Sequence, residues 1–368
     1  MKQEEMMRLA ISLAEKGAGK VNPNPLVGAV IAKDNRIIGQ GYHEQYGSFH
    51  AERNALADCK ESPSGATMYV TLEPCCHYGK TPPCTEAIIA SKIKRVFIGA
   101  LDPNPLVRNK GVEILRQNGI EVQLNLLSSA CEKQNEVFFH YIKSKTPFVV
   151  MKYAMTMDGK IATVTGQSRW ITGEEARQKV HSDRNRYSGI MVGVGTVIAD
   201  DPMLNCRLAG GRNPVRIICD TNLRTPLSSQ IVKTAKEITT IIATTCTEAK
   251  KQKKYLDLGV KLLTVPKKGD FIDLTSLMTL LGERQIDSIL LEGGSRLNFS
   301  ALQEGIVNKV QTYVSPKLFG GEFTKTPVSG TGFLKISECV TLKNQTISKI
   351  GEDIFIESEV SKRCLQES

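Results

Sequence analysis

The sequence predicts two consecutive α/β domains. Three observations predict it: a length of 368 residues, an alternation of strand and helix patterns along the chain, and a restart of that alternation at Ser144-Lys145-Thr146-Pro147. Such a length suits two or three domains of roughly 100–200 residues each. Thr146 precedes a proline and so resists helix. The expected domains are therefore residues 1–146 and 147–368.

The elements follow in order. The opening segment carries Glu4, Glu5 and Glu15 with no long apolar core, so it reads as an amphipathic helix and not as a signal peptide. Residues 26–32 (LVGAVIA) and 36–43 (RIIGQGYH) are β-rich runs joined by Lys33-Asp34-Asn35, a hairpin signal. His50 opens a helix with Ala51, Ala55 and Leu56 on one face, and Cys59 is expected to pack within it. Strands are expected at 68–72, 95–100 and 120–124, and helices at 85–92, 110–118 and 128–142. This alternation implies a sheet covered on both faces. Beyond Pro147, strands are expected at 148–154, 189–194, 215–219, 238–244, 260–265, 286–291 and 309–315. Helices are expected near 174–186, 248–256, 271–282 and 296–304, with an antiparallel strand at 353–359.

Composition narrows the class. The chain is 41% hydrophobic and 23% charged, which excludes a mainly disordered chain. No apolar run approaches the ~20 residues of a membrane span, so no membrane partner is expected and the expected compartment is the cytoplasm. The formal charge of +10 is spread: 18 basic and 15 acidic residues lie in 1–146, leaving 30 and 23 in 147–368. Such a spread suits anionic small molecules as well as nucleic acid. Ten cysteines in a cytoplasmic chain do not read as a disulfide framework. Cys59, Cys75, Cys76 and Cys84 cluster beside His43, His50 and His77. Cys131, Cys206, Cys219, Cys246, Cys339 and Cys364 are scattered, and read as buried small hydrophobes or bystanders.

The cluster carries chemistry. His50-Ala51-Glu52 precedes Pro74-Cys75, and Cys84 follows. A catalytic zinc keeps three protein ligands and one open position, and His50, Cys75 and Cys84 supply three. Glu52 is then free to shuttle a proton. His50 and Cys84 each start a predicted helix, whose positive end stabilises a thiolate. The pattern is the zinc-deaminase signature, except that the second cysteine lies nine positions after the first. The alternative is a closed zinc knot with Cys76 or His77 as fourth ligand, which would leave Glu52 without a role. His43 reads as a hairpin or pocket histidine. In the second half, Gly193-Val194-Gly195 lacks a third glycine, which disfavours a Rossmann site. Glu292-Gly293-Gly294-Ser295 leads from an apolar strand into a helix whose first N–H groups suit a pyrophosphate, or it is a plain connection.

Thr71-Leu72-Glu73-Pro74-Cys75-Cys76-His77-Tyr78-Gly79-Lys80-Thr81-Pro82-Pro83-Cys84 resembles the deaminase half of the bifunctional riboflavin biosynthesis family. So do Asn22-Pro23-Asn24-Pro25-Leu26-Val27-Gly28 and Asp102-Pro103-Asn104-Pro105-Leu106-Val107. Lys152-Tyr153-Ala154, Asp158-Gly159-Lys160-Ile161-Ala162, Arg169-Trp170-Ile171-Thr172 and Val192-Gly193-Val194-Gly195-Thr196 resemble its reductase half. One departure is Arg108-Asn109, where the family usually has small residues.

The resemblance implies a cytidine-deaminase-like three-layer domain followed by a dihydrofolate-reductase-like α/β domain. It implies one zinc per chain on His50, Cys75 and Cys84, with Glu52 as proton shuttle, and NADPH as second cofactor. It places Asn24, His77, Lys80 and Asn104 around the deaminase substrate. It assigns NADPH contacts to Ala154, Trp170, Thr196, Asp200, Thr221, Gly294, Ser295, Arg296, Leu297, Asn298, Phe299 and Ser300. Substrate contacts in the second half fall on Ser168, Arg184, Leu204, Arg207 and Glu292, with Lys152 a further candidate. A guanidinium grips a phosphate bidentately, which suits Arg184 and Arg207. The implied partners are phosphorylated pyrimidines, with a homo-oligomer expected. Two other functions compete: a nucleic-acid base deaminase and a non-enzymatic zinc-stabilised metabolite binder. The long Cys75–Cys84 loop and the lack of a basic aromatic face stand against the first. Glu52 beside an open metal position stands against the second.

Overall fold

The structure, a computed structural model, describes residues 2–105 and 107–361; Leu106 and Cys364 lie outside the described residues. Contacts divide the chain into two compact units, Met1–Lys145 and Thr146–Ser368.

The first unit opens with α1 (Gln3–Glu15), which buries Met6, Met7, Ala10, Leu13 and Ala14, a helical spacing of three and four. β1 (Gly28–Lys33) and β2 (Arg36–Tyr42) form an antiparallel hairpin. Then come α2 (Ala51–Ala57), β3 (Thr67–Leu72), α3 (Cys84–Ala90), β4 (Arg95–Ala100), α4 (Lys110–Gln117), β5 (Glu121–Gln123), α5 (Ser128–Gln134) and α6 (Glu136–Ser144). The sheet runs β2-β1-β3-β4-β5, with β3, β4 and β5 parallel. α1 and α5 touch each other against the sheet, while α2, α3 and α4 form a second chain of contacts, giving three layers. A Cβ on Gly28 would lie 1.9 Å from the Ala10 carbonyl oxygen, so glycine lets α1 press directly on β1.

Two expectations here are corrected. The helix expected over 128–142 is broken at Asn135. The Asn135 side chain accepts from the Leu26 N–H and donates to the Leu26 carbonyl, both at 2.8 Å, bracing the segment before β1. Cys59 lies beyond the end of α2, where its thiol donates to the Ala55 carbonyl at 3.4 Å.

The second unit contains β6 (Phe148–Thr156), α7 (Glu174–Arg186), β7 (Gly189–Gly193), α8 (Val194–Asp200), β8 (Val215–Cys219), α9 (Gln230–Lys233), β9 (Thr240–Thr244) and α10 (Ala249–Leu256). β10 (Lys261–Thr264), the short β11 (Lys267–Lys268) and β12 (Phe271–Ile272), α11 (Leu274–Gly282), β13 (Ser288–Leu291), α12 (Ser295–Gln303), β14 (Lys309–Ser315), β15 (Leu342–Ile350) and β16 (Asp353–Val360) complete it. Its large sheet runs β10-β9-β8-β7-β13-β6-β14-β16-β15. Strands from β10 to β14 pair in parallel, and β16 and β15 join antiparallel. The parallel strands are apolar on both faces, as burial between helix layers requires.

Several elements differ from expectation, the unforeseen short α9, β11 and β12 among them. α11 starts at Leu274, because Asp273 caps it and residues 271–272 pair in a two-stranded ribbon. The helix α8 follows β7 directly through Gly193. The strand β15 is exposed over nearly its whole length, so it carries no apolar face for a pattern to show. Among the described residues, no helix is long and apolar enough to cross a membrane.

Candidate active sites

The first site is built at the ends of three elements. His50 caps α2, Cys84 opens α3, and Cys75 follows β3. His50 Nδ1 lies 3.4 Å from Cys75 Sγ and 3.5 Å from Cys84 Sγ, and the Cys84 N–H donates to Cys75 Sγ at 3.3 Å. The three donor atoms lie within 4.8 Å of one another. One imidazole and two thiols converging in this way fit zinc. The loop of residues 76–83 therefore brings Cys84 back to Cys75 despite the long spacing. Among the described residues, the donor group includes neither Cys76 nor His77. Hydrogen bonding from Cys84 and from His50 pulls the Cys75 thiol down to about 4.

Glu52 is 3% exposed and lies in the first turn of the helix that His50 caps. Burial, then the charge of Cys75, pushes its carboxyl up to about 7. The site opens into a cleft of ≈ 320 Å³ lined by Asn24, His43, His50, Glu52, Cys75, His77, Lys80 and Asn104. Asn24 Nδ2 lies 3.2 Å from His43 Nε2, and His43 Nδ1 faces the Phe49 carbonyl at 3.1 Å. Lys80 holds its ammonium 3.9 Å over the Tyr46 ring at the rim.

Sequence reasoning missed Glu73 and Asp102. Glu73 is 3% exposed and accepts the backbone N–H groups of Asp102, Asn109 and Val112 at 3.3, 3.1 and 3.3 Å. It thereby fixes the loop that carries Asn104. Asp102 accepts the Asn104 N–H at 2.8 Å, and burial pushes its carboxyl up to about 6. A buried acid inside the Leu72-Glu73-Pro74-Cys75 run was the available signal. Asn109 takes the left-handed conformation at φ 64°, which asparagine tolerates, and caps α4.

Two clefts of the second unit bear on its chemistry. One, of ≈ 610 Å³, is lined by Lys152, Ser168, Arg184, Leu204, Arg207 and Glu292, all six of the expected substrate residues, and also by Ala154, Trp170, His181 and Tyr313. Arg184 grips Glu292 at two points, leaving Nη1 to donate to the Asn205 carbonyl at 3.1 Å. Lys152 Nζ lies 3.7 Å from the same carboxylate. Arg184 is thus committed to protein partners, whereas Arg207 is exposed in the cleft, as is Arg169. Burial works to raise the Glu292 carboxyl, but Arg184 and Lys152 outweigh it and hold it at about 2. Trp170 is 60% exposed and carries the Arg177 guanidinium 4.7 Å from its ring centre.

The other cleft, of ≈ 650 Å³, is lined by Ser168, Thr196, Asp200, Thr221, Gly294, Ser295, Arg296, Leu297 and Ser300. The expected cofactor run is not uniform. Asn298 and Phe299 are 1% and 6% exposed, and neither lines this cleft. The helical period of α12 turns them inward, where Asn298 donates to the Pro327 carbonyl at 2.9 Å and Phe299 packs on Phe333. Ala154 and Trp170 line the substrate-side cleft, and Ser168 borders both.

Residues 1–100 match the family described as the cytidine and deoxycytidylate deaminase zinc-binding region, and residues 147–356 match the RibD C-terminal domain. The chain is 55% identical over 353 residues to the riboflavin biosynthesis protein RibD of Actinobacillus pleuropneumoniae, covering 96% of this chain and 94% of that protein. It is 36% identical to the Escherichia coli protein of the same name, covering 97% and 99%. Among solved structures it resembles Acinetobacter baumannii RibD, with TM-score 0.87, 35% identity and coverage of 98% and 99%. It also resembles a diaminohydroxyphosphoribosylaminopyrimidine deaminase/5-amino-6-(5-phosphoribosylamino)uracil reductase from Thermotoga maritima, with TM-score 0.86, 41% identity and coverage of 97% and 98%.

Proposed function

The chain belongs to the RibD family of riboflavin biosynthesis proteins, and on that premise we propose which of its residues carry each reaction. It joins a cytidine-deaminase-like domain to a dihydrofolate-reductase-like one, and uses zinc in the first and NADPH in the second. It deaminates 2,5-diamino-6-(5-phospho-ribosylamino)pyrimidin-4(3H)-one, then reduces the ribosyl group of 5-amino-6-(5-phosphoribosylamino)uracil to ribityl.

One observation carries the deaminase assignment: a buried Glu52 carboxyl beside the converging donors of His50, Cys75 and Cys84, at the floor of a cleft. Zinc held by this trio supplies the Lewis acidity that makes water a nucleophile near neutral pH. Glu52 takes the proton of the attacking water on a carboxylate oxygen and returns it to the departing amino nitrogen. Asn24 offers its amide to the pyrimidine edge, His77 and Asn104 line the ring's approach, and Lys80 meets the phosphate at the rim.

In the second unit, NADPH supplies the hydride for the ring-opened ribose carbonyl. Thr196, Asp200, Thr221, Gly294 and Ser295 would hold the nucleotide, the first N–H groups of α12 being suited to phosphate. Ser168, which borders both clefts, would face both cofactor and sugar, with Ala154 and Trp170 lining the sugar cleft. Lys152, steadied by Glu292, presents its ammonium to the substrate oxygens. Arg207 takes the phosphate.

The direct test is purified protein with the diaminopyrimidinone substrate, with and without NADPH. Ammonia release without NADPH, and NADPH oxidation only after deamination, are the expected results. Zinc-loaded protein that releases no ammonia would refute the reading. Residues 1–146 are proposed as the deaminase domain and 147–368 as the reductase domain, so the separate pieces should carry one activity each. A cytoplasmic setting suits the free cysteines. The chain is proposed to self-associate, since Leu334, Ile336 and Ile347 are 93%, 92% and 70% exposed. Light scattering that gives only a monomer mass would exclude this.

A further inference from the structure

The loop that carries Leu204 and Arg207 is gripped by α7 at three points. Arg184 Nη1 donates to the Asn205 carbonyl at 3.1 Å. The Cys206 thiol donates to the His181 carbonyl at 3.4 Å. The Arg207 backbone N–H donates to His181 Nδ1 at 3.3 Å. The loop needs this hold. Leu204 sits in the left-handed region at φ 49°, which a branched side chain rarely adopts, and Arg207 is exposed. Two of the contacts are backbone carbonyls or a committed guanidinium. Only the third depends on a group whose charge changes near neutral pH.

We propose that His181 is a positioning residue for the reductase substrate: its neutral imidazole ties the Arg207 backbone to α7 and so sets the Arg207 guanidinium where the substrate phosphate is met. This rests on the reading that the cleft of Lys152, Arg207 and Glu292 takes the phosphorylated sugar. Nδ1 accepts a hydrogen bond only while it carries no proton. Protonation removes that acceptor and places a further cation between Arg184 on its own helix and Arg207 on the loop. The opposing charge is Glu292, after β13, which is already shared with Arg184 and Lys152. Burial, then the charges of Arg184 and Arg207, hold the imidazole below its ordinary value, and Glu292 and a hydrogen bond to the Asn205 backbone offset this only in part. The ring therefore stays neutral at pH 7 and the loop stays set. As pH falls through the imidazole's lowered value the tie is lost and substrate capture weakens.

The test uses full-length, NADPH-saturated enzyme and the deaminated phosphoribosylaminouracil. His181→Phe keeps a ring and removes the acceptor. It should raise KM roughly five- to tenfold, the scale of one lost hydrogen bond to a positioned group, with kcat within about twofold. Its affinity for NADPH, titrated by nucleotide fluorescence in the absence of substrate, should match the parent. His181→Asn places an amide oxygen near Nδ1 and cannot titrate, so it also serves if the Phe variant does not fold. The substrate phosphate itself titrates near pH ~6, so the readout is the difference between parent and variant. From pH 7.5 to 5.5 the parent KM should rise more steeply than that of His181→Asn. Equal slopes overturn the proposal, as does a parent KM that falls relative to His181→Asn, which would make His181 a cationic phosphate ligand. If Arg207→Ala raises KM while His181→Phe leaves it unchanged, the proposal fails alone. If Arg207→Ala also leaves KM unchanged, the reading of the cleft fails with it.

Discussion

Arg184 and Glu292 close a two-point fork across the reductase cleft, Nε to Oε1 at 2.7 Å and Nη2 to Oε2 at 3.1 Å. They stand 108 residues apart in sequence, and both side chains are largely buried, at 16% and 12% exposure. The fork joins α7 to the segment after β13 and fixes the carboxylate that also faces Lys152. Removing Arg184 leaves Glu292 with only the longer Lys152 contact, and breaking a buried pair in this way costs about 3–5 kcal/mol. Arg184→Met should therefore lower the stability of the reductase unit by roughly that amount. The double variant Arg184→Met/Glu292→Leu should recover a large part of the loss. Urea titration of the full chain, followed through the Trp170 fluorescence of the second unit, checks this. Equal losses in single and double variants would show that the pair is not coupled.

Acid should act on the same fork. Glu292 is held at about 2 in the folded chain, below its ordinary 4.5, because Arg184 and Lys152 outweigh burial. A folded value below the unfolded one gives stability that is present above pH 4.5 and lost as pH falls through 4.5 towards about 2. The reductase unit should therefore lose stability over that window, and Glu292→Gln should flatten the dependence while lowering stability at pH 7. Thermal unfolding measured at several acid pH values gives the comparison.

The zinc site separates metal binding from proton transfer. Cys84→Ser should lose metal and deamination together, whereas Cys76→Ser should keep about one zinc per chain. Glu52→Gln should retain zinc and lose deamination by roughly 10²–10⁴-fold. NADPH-dependent reduction of supplied intermediate should persist in all three. Metal analysis beside the two activity assays decides, and normal ammonia release from Glu52→Gln would remove its proton role.

Arg216 holds up the floor of the second unit. It is 0% exposed, and its guanidinium donates to the Ile231, Thr234 and Ile238 carbonyls, to the Thr234 and Thr240 hydroxyls, and to the Met203 carbonyl. No carboxylate is among these partners, and burial draws the group down to about 10. Arg216→Met should leave several carbonyls unsatisfied and lower stability by about 3 kcal/mol, each bond to a charged donor being worth about 1.5–3 kcal/mol. Because Met203 lines the substrate cleft, KM of the reduction should rise as well. Chemical denaturation with paired reductase kinetics measures both.

The deaminase site was legible because its residues lie close along the chain. His50 and Glu52 share one helix start, and Cys75 and Cys84 share one loop, so spacing and residue type already spelled out a metal with a proton shuttle. The reductase site was not legible in that way. Lys152 comes from β6, Arg184 from α7, Arg207 from a loop and Glu292 from the end of β13, and only the sheet order β7-β13-β6 brings them together. Family resemblance named most of them. It did not show that Arg184 is spent on Glu292, or that Asn298 and Phe299 face inward.

By itself, then, the sequence determined the α/β class, the restart of the alternation near Pro147, the zinc-ligand chemistry and the acid beside it. These follow from local pattern: apolar periodicity, proline and residue spacing act over a few positions of chain. Tertiary structure alone decided that Asn135 breaks a helix to brace Leu26, that Glu73 shapes the loop of Asn104, and that β15 adds to the sheet without an apolar face. It also decided that His181 reaches Arg207. For these side chains the partner is a backbone group distant in sequence, or a buried charge whose state depends on what packs around it; β15 instead pairs with the neighbouring β16. A side chain's hydrogen-bonding capacity is written in its residue type, but which distant group uses it is set only when the layers close.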